Sequence, residues 1–174
     1  AAARVPRERR HGGSQEPGTL VTVHFVVHGQ PRPAGSKKAY VVGGRAIVVD
    51  ANPASKPWKQ EVTSAALAEL FGEMLVEPSL PLFPDGAVFL RMRFTLKRPK
   101  THRRADGTLK TDAPHFHTNR PDALKLARAV EDALSGVVYR DDAQTIPVAW
   151  KVYGDVEGVE VWASSVPPIP EVCV

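Results

Sequence analysis

The longest alternation of apolar and polar positions runs through "AVFLRMRFTLKRP" at 87–99. Read with a period of two, it puts Val88, Leu90, Met92, Phe94 and Leu96 on one face. Phe89, Arg91, Arg93 and Thr95 fall on the other, so the segment predicts a half-buried strand with cations on its wet side, ended by Pro99. "TLVTVHFVVHG" at 19–29 has the same β-branched character and predicts a first strand. In "AYVVGGRAIVVD" two such runs flank Gly43-Gly44, a pair suited to a tight hairpin turn. "AQTIPVAWKVYG" and "GVEVWASSV" predict two more strands joined at "DVEG", and Pro147 places the first at a sheet edge.

Two segments carry helical spacing instead. The first opens with Ser55 as N-cap and Pro57 in its first turn, and closes at Gly72. Trp58, Val62, Ala65, Ala66 and Leu70 should pack inward. The second runs from Asp122 to Ser135, with Gly136 suited to a left-handed C-terminal cap. On a wheel of about 100° per residue, Ala123, Leu126, Ala127, Val130, Ala133 and Leu134 share the core arc. Lys125, Arg128, Glu131, Asp132 and Ser135 take the opposite arc, and so does one apolar residue, Leu124. Asp122 opens the helix, where a carboxylate caps free N–H groups and meets the positive end of the dipole.

The order βββαβαββ predicts an α+β domain, a mixed β-sheet with the two main helices packed on one side. The 174 residues make one domain, expected over 19–166. Residues 1–18 read as a flexible basic tail and 167–174 as an extended one. No apolar run is long enough to span a bilayer, and the N-terminus lacks the apolar core of a signal peptide. The single cysteine, Cys173, forms no internal disulfide, so a reducing, cytoplasmic setting is expected.

Charge sharpens this picture through its distribution. From Arg91 to Arg128 there are eleven Lys/Arg against three acids, a local net of +8 within a chain whose total is +4. A polyanion is the natural partner of such a segment, because phosphate counterions are released on binding. Much of this charge lies in the polar loop 99–120, and loops that long are usually functional or disordered. Lys37 and Lys38 after a Gly-Ser turn, the loop cations Lys97, Arg98, Lys100, Arg103 and Arg104, with Lys125 and Lys151, are the expected grips on a DNA backbone. His115 and His117 flank Phe116, but a zinc site needs further ligands and the one cysteine is remote. Trp58, Trp150 and Trp162 sit on apolar faces, as core or subunit contacts rather than base-stacking platforms.

The candidate chemistry lies in acids close to these cations. Asp122 starts the second helix, and Asp141 and Asp142 follow it after a short connection. Hard oxygen ligands of this kind suit Mg²⁺ or Mn²⁺, which can activate water beside a phosphodiester. Arg128 and Lys125 could neutralise the charge that grows on the phosphate.

The stretch resembles the RusA-like family of Holliday junction resolvases of bacteria and phages. That family's signature is Pro-Asp-x-Asp-(Asn/Lys)-Leu-x-(Lys/Arg), then Asp-Ala-Leu-x-Gly and Asp-Asp-x-Gln. This chain supplies Pro121, Asp122, Lys125, Leu126 and Arg128, then "DALSG" at 132–136 and "DDAQ" at 141–144. "GQPRPAGSKKAY", "KPWKQEV" and "FTLKRPKTH" are also similar to phage members. The resemblance implies a small homodimer that nicks branched DNA with Mg²⁺. It implies Asp122 and Asp142 as metal ligands beside Asp141, and Arg128 in the place of a functional lysine or arginine. The second Asp of the signature falls on Leu124, which cannot ligate a metal. Glu131, one stripe further along the same face, is the residue that could rebuild the site with Asp142; its plainer role is an ion pair with Arg128. The rival readings are a junction-binding protein that has lost cleavage through Leu124 and, more remotely, a general oligonucleotide-binding module.

Overall fold

The computed structural model describes residues 22–35, 37–50, 52–72 and 79–166, with the side chains of 37, 38 and 48–50 outside the description. The expected tails, 1–18 and 167–174, lie outside the described residues. Six strands and two helices follow in the order β1 (Thr22–His28), β2 (Lys37–Val42), β3 (Arg45–Asp50), α1 (Ser55–Gly72), β4 (Val88–Lys97), α2 (Ala123–Leu134), β5 (Thr145–Gly154) and β6 (Gly158–Ser165). Four of the strands form one sheet in the order β1-β6-β4-β5, while β2 and β3 pair as a separate ribbon. β4 runs parallel to β5 and antiparallel to β6, so the sheet is mixed. The α+β class is the one the alternation predicts.

Each face of the sheet follows from the two-residue period. Val88, Leu90, Met92, Phe94 and Leu96 of β4 are buried, with Val23, Phe25 and Val27 of β1 and Val159, Val161 and Ala163 of β6 beside them. On that side lie both helices, through Trp58, Val62, Ala66 and Leu70 of α1 and Leu126, Ala127, Val130, Ala133 and Leu134 of α2. Burying one such aliphatic side chain contributes about 1.5–3 kcal/mol. The helices are tied to each other by Lys59 Nζ at 2.6 Å from Asp132 Oδ2 and by the Thr63 hydroxyl donating to the Ala133 carbonyl at 2.8 Å. The "KPWKQEV" and "DALSG" segments are thus the two sides of one helix–helix joint.

Pro147 does lie in an edge strand, since β5 closes the sheet. Part of that edge is covered by the 99–120 loop. Phe116 bridges Val152, the His117 N–H donates to the Lys151 carbonyl at 3.0 Å, and the Tyr153 N–H donates to His115 at 2.9 Å. Details of the helix starts differ from expectation. Ser55 is the first residue of α1 rather than its cap, and Asn52 turns the entering chain by accepting from the Ala54 N–H at 3.2 Å. Asp122 holds the N-cap position of α2, but its side chain makes no cap hydrogen bond.

Candidate nucleic-acid interface and its acids

The exposed side of α2 lines a continuous trough. One hollow of about 360 Å³ is bounded by Leu124, Lys125, Arg128 and Glu131. Another of about 540 Å³ is bounded by Pro33, Arg120, Pro121, Asp122 and Lys125, and Lys125 is common to both. Leu124 stands in the open, 80% exposed, on the stripe with Arg128 and Glu131. An aliphatic side chain that exposed gains nothing from the core, so packing does not explain it.

At the N-terminal end, the Asp122 carboxylate lies 3.7 Å from Lys125 Nζ. Behind it the Lys151 ammonium donates to the carbonyls of Asn119 at 2.5 Å and Pro121 at 2.6 Å, fixing the approach to α2. Burial holds the Lys151 amine below the ordinary lysine range, and the charge of Asp122 opposes that shift. Two cations thus lie near Asp122, whose side chain makes no cap hydrogen bond. Burial, and then the charge of Lys151, keep the neighbouring His117 ring below the ordinary imidazole range.

At the other end, Glu131 is engaged rather than paired with Arg128. Its Oε1 lies 2.8 Å from the Thr145 hydroxyl, which is also 2.9 Å from the Asp142 carbonyl. The Tyr139 hydroxyl donates to the Glu131 carbonyl at 2.9 Å. Burial, followed by the charges of Glu131, Asp142 and Asp132, pushes that phenol far up, so it stays a donor. Asp141 caps the turn Asp142–Gln144, accepting from the Ala143 N–H at 2.9 Å while the Gln144 amide oxygen accepts from the Asp141 N–H at 3.0 Å. "DDAQ" is thus a capping box, and Asp142 within it is exposed. Arg128 has no ion-pair partner among the described residues.

Asp122 and Glu131 stand at opposite ends of the trough. Asp122 and Glu131 are nine residues apart, about 13 Å along the axis, and Thr145 ties Asp142 to the Glu131 end. Among the described residues, no group of three or more His, Cys, Asp or Glu side chains could hold a metal. The donors do not fit one closed cage joining Asp122 to Asp141 and Asp142. One or two of these carboxylates at a time could meet a hard divalent cation whose remaining ligands are water or phosphate oxygens.

The other expected grips divide into two groups. Lys97 and Lys100 are exposed beside the loop. Arg98 instead donates to the carbonyls of Pro114 at 2.8 Å and Tyr153 at 3.2 Å. Arg103 pairs with Asp155 at 2.5 Å and Arg104 donates to Thr111 at 3.0 Å, so these three brace the loop. The side chains of Lys37 and Lys38 lie outside the described residues. Sequence reasoning missed Thr145 and Tyr139, whose roles depend on contacts across 14 and 8 residues that no local period encodes.

An α+β domain with a cation-flanked, acid-ended trough belongs with proteins that handle a phosphodiester backbone. The family model described as Endodeoxyribonuclease RusA matches residues 26–162, most of the chain, and the protein belongs to that family. No curated protein matches the chain. None of the described helices is long and apolar enough to cross a membrane.

Proposed function

We propose that the protein is a structure-selective endonuclease that hydrolyses phosphodiester bonds in four-way junctions and other branched DNA, in recombination and repair. The observation that carries this reading is the trough, which sets Lys125 and Arg128, unpaired among the described residues, between Asp122 at one end and Glu131 at the other. A DNA strand laid along it meets cations at its phosphates and a carboxylate at either end. Arg128 and Lys125 neutralise charge as it develops on the phosphate. Lys151 acts as a positioning residue, holding the Asn119–Pro121 backbone that aims Asp122. Divalent-metal dependence follows from family membership. Mg²⁺, or Mn²⁺ in its place, would meet Asp122 or Asp142 together with phosphate oxygens and would supply an activated water.

Two nicks on symmetry-related strands require two sites, so the working unit is a homodimer. The sheet face away from the helices suits a second copy. It carries Trp150 stacked on Trp162 at 6.2 Å, Arg91 over the Trp162 ring at 5.2 Å, and an Arg93–Glu160 ion pair. Ile146 and Val148 are exposed on the same face.

A second reading is favoured by Leu124, which sets an exposed aliphatic group in the trough near Asp122. On that reading the chain binds branched DNA without cutting it. Nicking of a 5′-labelled four-way junction with Mg²⁺ or Mn²⁺, beside a linear duplex of equal length, separates the two. Paired nicks confined to the junction are expected. Tight junction binding without nicks would favour the second reading, and equal binding to both DNAs would remove both.

A further inference from the structure

The ribbon of β2 and β3 belongs to neither the sheet nor the core. Its turn at Gly43 and Gly44 has both residues in the left-handed region, φ 57° and 78°, which gives two strands of six residues, about 20 Å long. Register alternation puts Tyr40 opposite Ile47 and Val42 opposite Arg45 on one face, with Val41 opposite Ala46 on the other. These apolar side chains are exposed on both faces: Val41 72%, Val42 59%, Tyr40 47% and Ile47 41%. A lone two-stranded ribbon is marginal in water, and an apolar one calls for a partner.

Its stems indicate which partner. The chain entering the ribbon is fixed by the Ala34 N–H donating to the Lys125 carbonyl at 2.8 Å. The chain leaving it is fixed by the Asn52 amide donating to the Pro33 carbonyl at 3.1 Å. Pro33 in turn lines the trough with Asp122 and Lys125. The ribbon therefore rises from the rim of the candidate site, and whatever lies in the trough passes its base. Residues 37–50 carry Lys37, Lys38 and Arg45 against Asp50, a positive balance that complements a phosphate backbone. Near the tip, only Tyr40 and Arg45 offer hydrogen-bonding side chains, too few to read base edges in a groove. Apolar and aromatic groups suit the flat faces of unstacked bases, which an intact duplex hides and a branch point exposes.

The geometry points to the β2–β3 ribbon as the branch-sensing arm of the protein, its apolar tip seated against unstacked bases at the junction centre while the trough holds an adjoining strand. This rests on the branched-DNA reading above. It assigns structure selectivity to Tyr40, Val41, Val42 and Ile47, none of which contributes to the core.

The test compares the full chain with a Tyr40→Ser/Val41→Ser/Val42→Ser variant. Affinities for a four-way junction and for a linear duplex are measured, with sedimentation to follow oligomeric state. Loss of stacking should weaken junction binding about ten- to a hundredfold and leave duplex binding unchanged. A second measurement needs no variant: 2-aminopurine at the branch point should change fluorescence when the parent binds, and the same base placed mid-arm should not. An unchanged junction-to-duplex ratio in the variant, or no branch-point signal with the parent, overturns the ribbon assignment and leaves the nuclease reading standing. A dimer that falls apart in the variant overturns it in favour of a subunit contact. A parent with no junction preference overturns the branched-DNA reading itself, and the ribbon assignment with it.

Discussion

The two ends of α2 present acids on one trough but spend them differently. At the N-terminal end Asp122 is free of the helix cap and faces Lys125 and Lys151. At the far end Glu131 is bound to Thr145 and Asp141 is bound within its own turn, beside the exposed Asp142. One end is built around an available carboxylate, the other around a scaffold that carries one. Leu124 lies between them, where the resemblance to the family's signature implies a second carboxylate. Both ends of α2 thus hold acids in built surroundings, while the stripe between them exposes an aliphatic residue, Leu124.

The largest effect that could break this comparison comes from neutralising each end in turn. Asp122→Asn should lower junction nicking by about 10²–10³-fold, the scale of losing one positioned electrostatic group. Asp142→Asn should do the same if the trough works as one site. Full nicking by Asp142→Asn would assign the chemistry to the Asp122 end alone.

A smaller effect tests the scaffold. Thr145→Val strips the hydroxyl from Glu131 and should destabilise the fold by about 1.5–3 kcal/mol, the range for hydrogen bonds to charged groups. Denaturant midpoints would show it. A change under about 0.5 kcal/mol would mean that Glu131 is free for other work.

The smallest effect concerns acid. The His117 ring is held below its ordinary value in the folded state, so the unfolded chain takes up the proton first as pH falls. The stability this neutral ring contributes is complete above about pH 6.5 and is lost as pH drops towards the lowered folded value. Because the ring is partly hydrated, the loss should stay under about 1 kcal/mol. Thermal unfolding between pH 7.5 and 5 should show His117→Phe to be less acid-sensitive than the parent. Equal sensitivity would remove His117 from this role.

Much of the fold was legible from periodicity because its elements are amphipathic with little ambiguity. The faces of β4 and the Gly43-Gly44 turn lie where the sequence predicts them, and so does the wheel of α2, except that Ala129 is buried and Ala123 only half-buried. The odd leucine was legible too, as the one apolar residue on a polar arc. Strand order was not, since the pairing of β1 with β6 joins residues more than a hundred positions apart. The uses of Arg98, Arg103 and Arg104 were hidden for a related reason. A 22-residue loop must satisfy its own backbone carbonyls, and the nearest strong donors were cations expected to bind DNA. Asp122 does take the N-cap position, but the absence of a side-chain cap bond, and the approach of Lys151 from a strand 29 residues later, were not legible.

Whether the trough cuts DNA or only holds it depends on the leucine it carries. The most direct measurement is single-turnover nicking of a labelled four-way junction, in Mg²⁺ and in Mn²⁺, by the parent and by Leu124→Asp. Slow paired nicks by the parent and nicking at least tenfold faster by Leu124→Asp are expected, with junction affinity little changed. Unaltered or abolished nicking in Leu124→Asp, with the fold intact, would contradict the claim that Leu124 occupies the place of a working carboxylate.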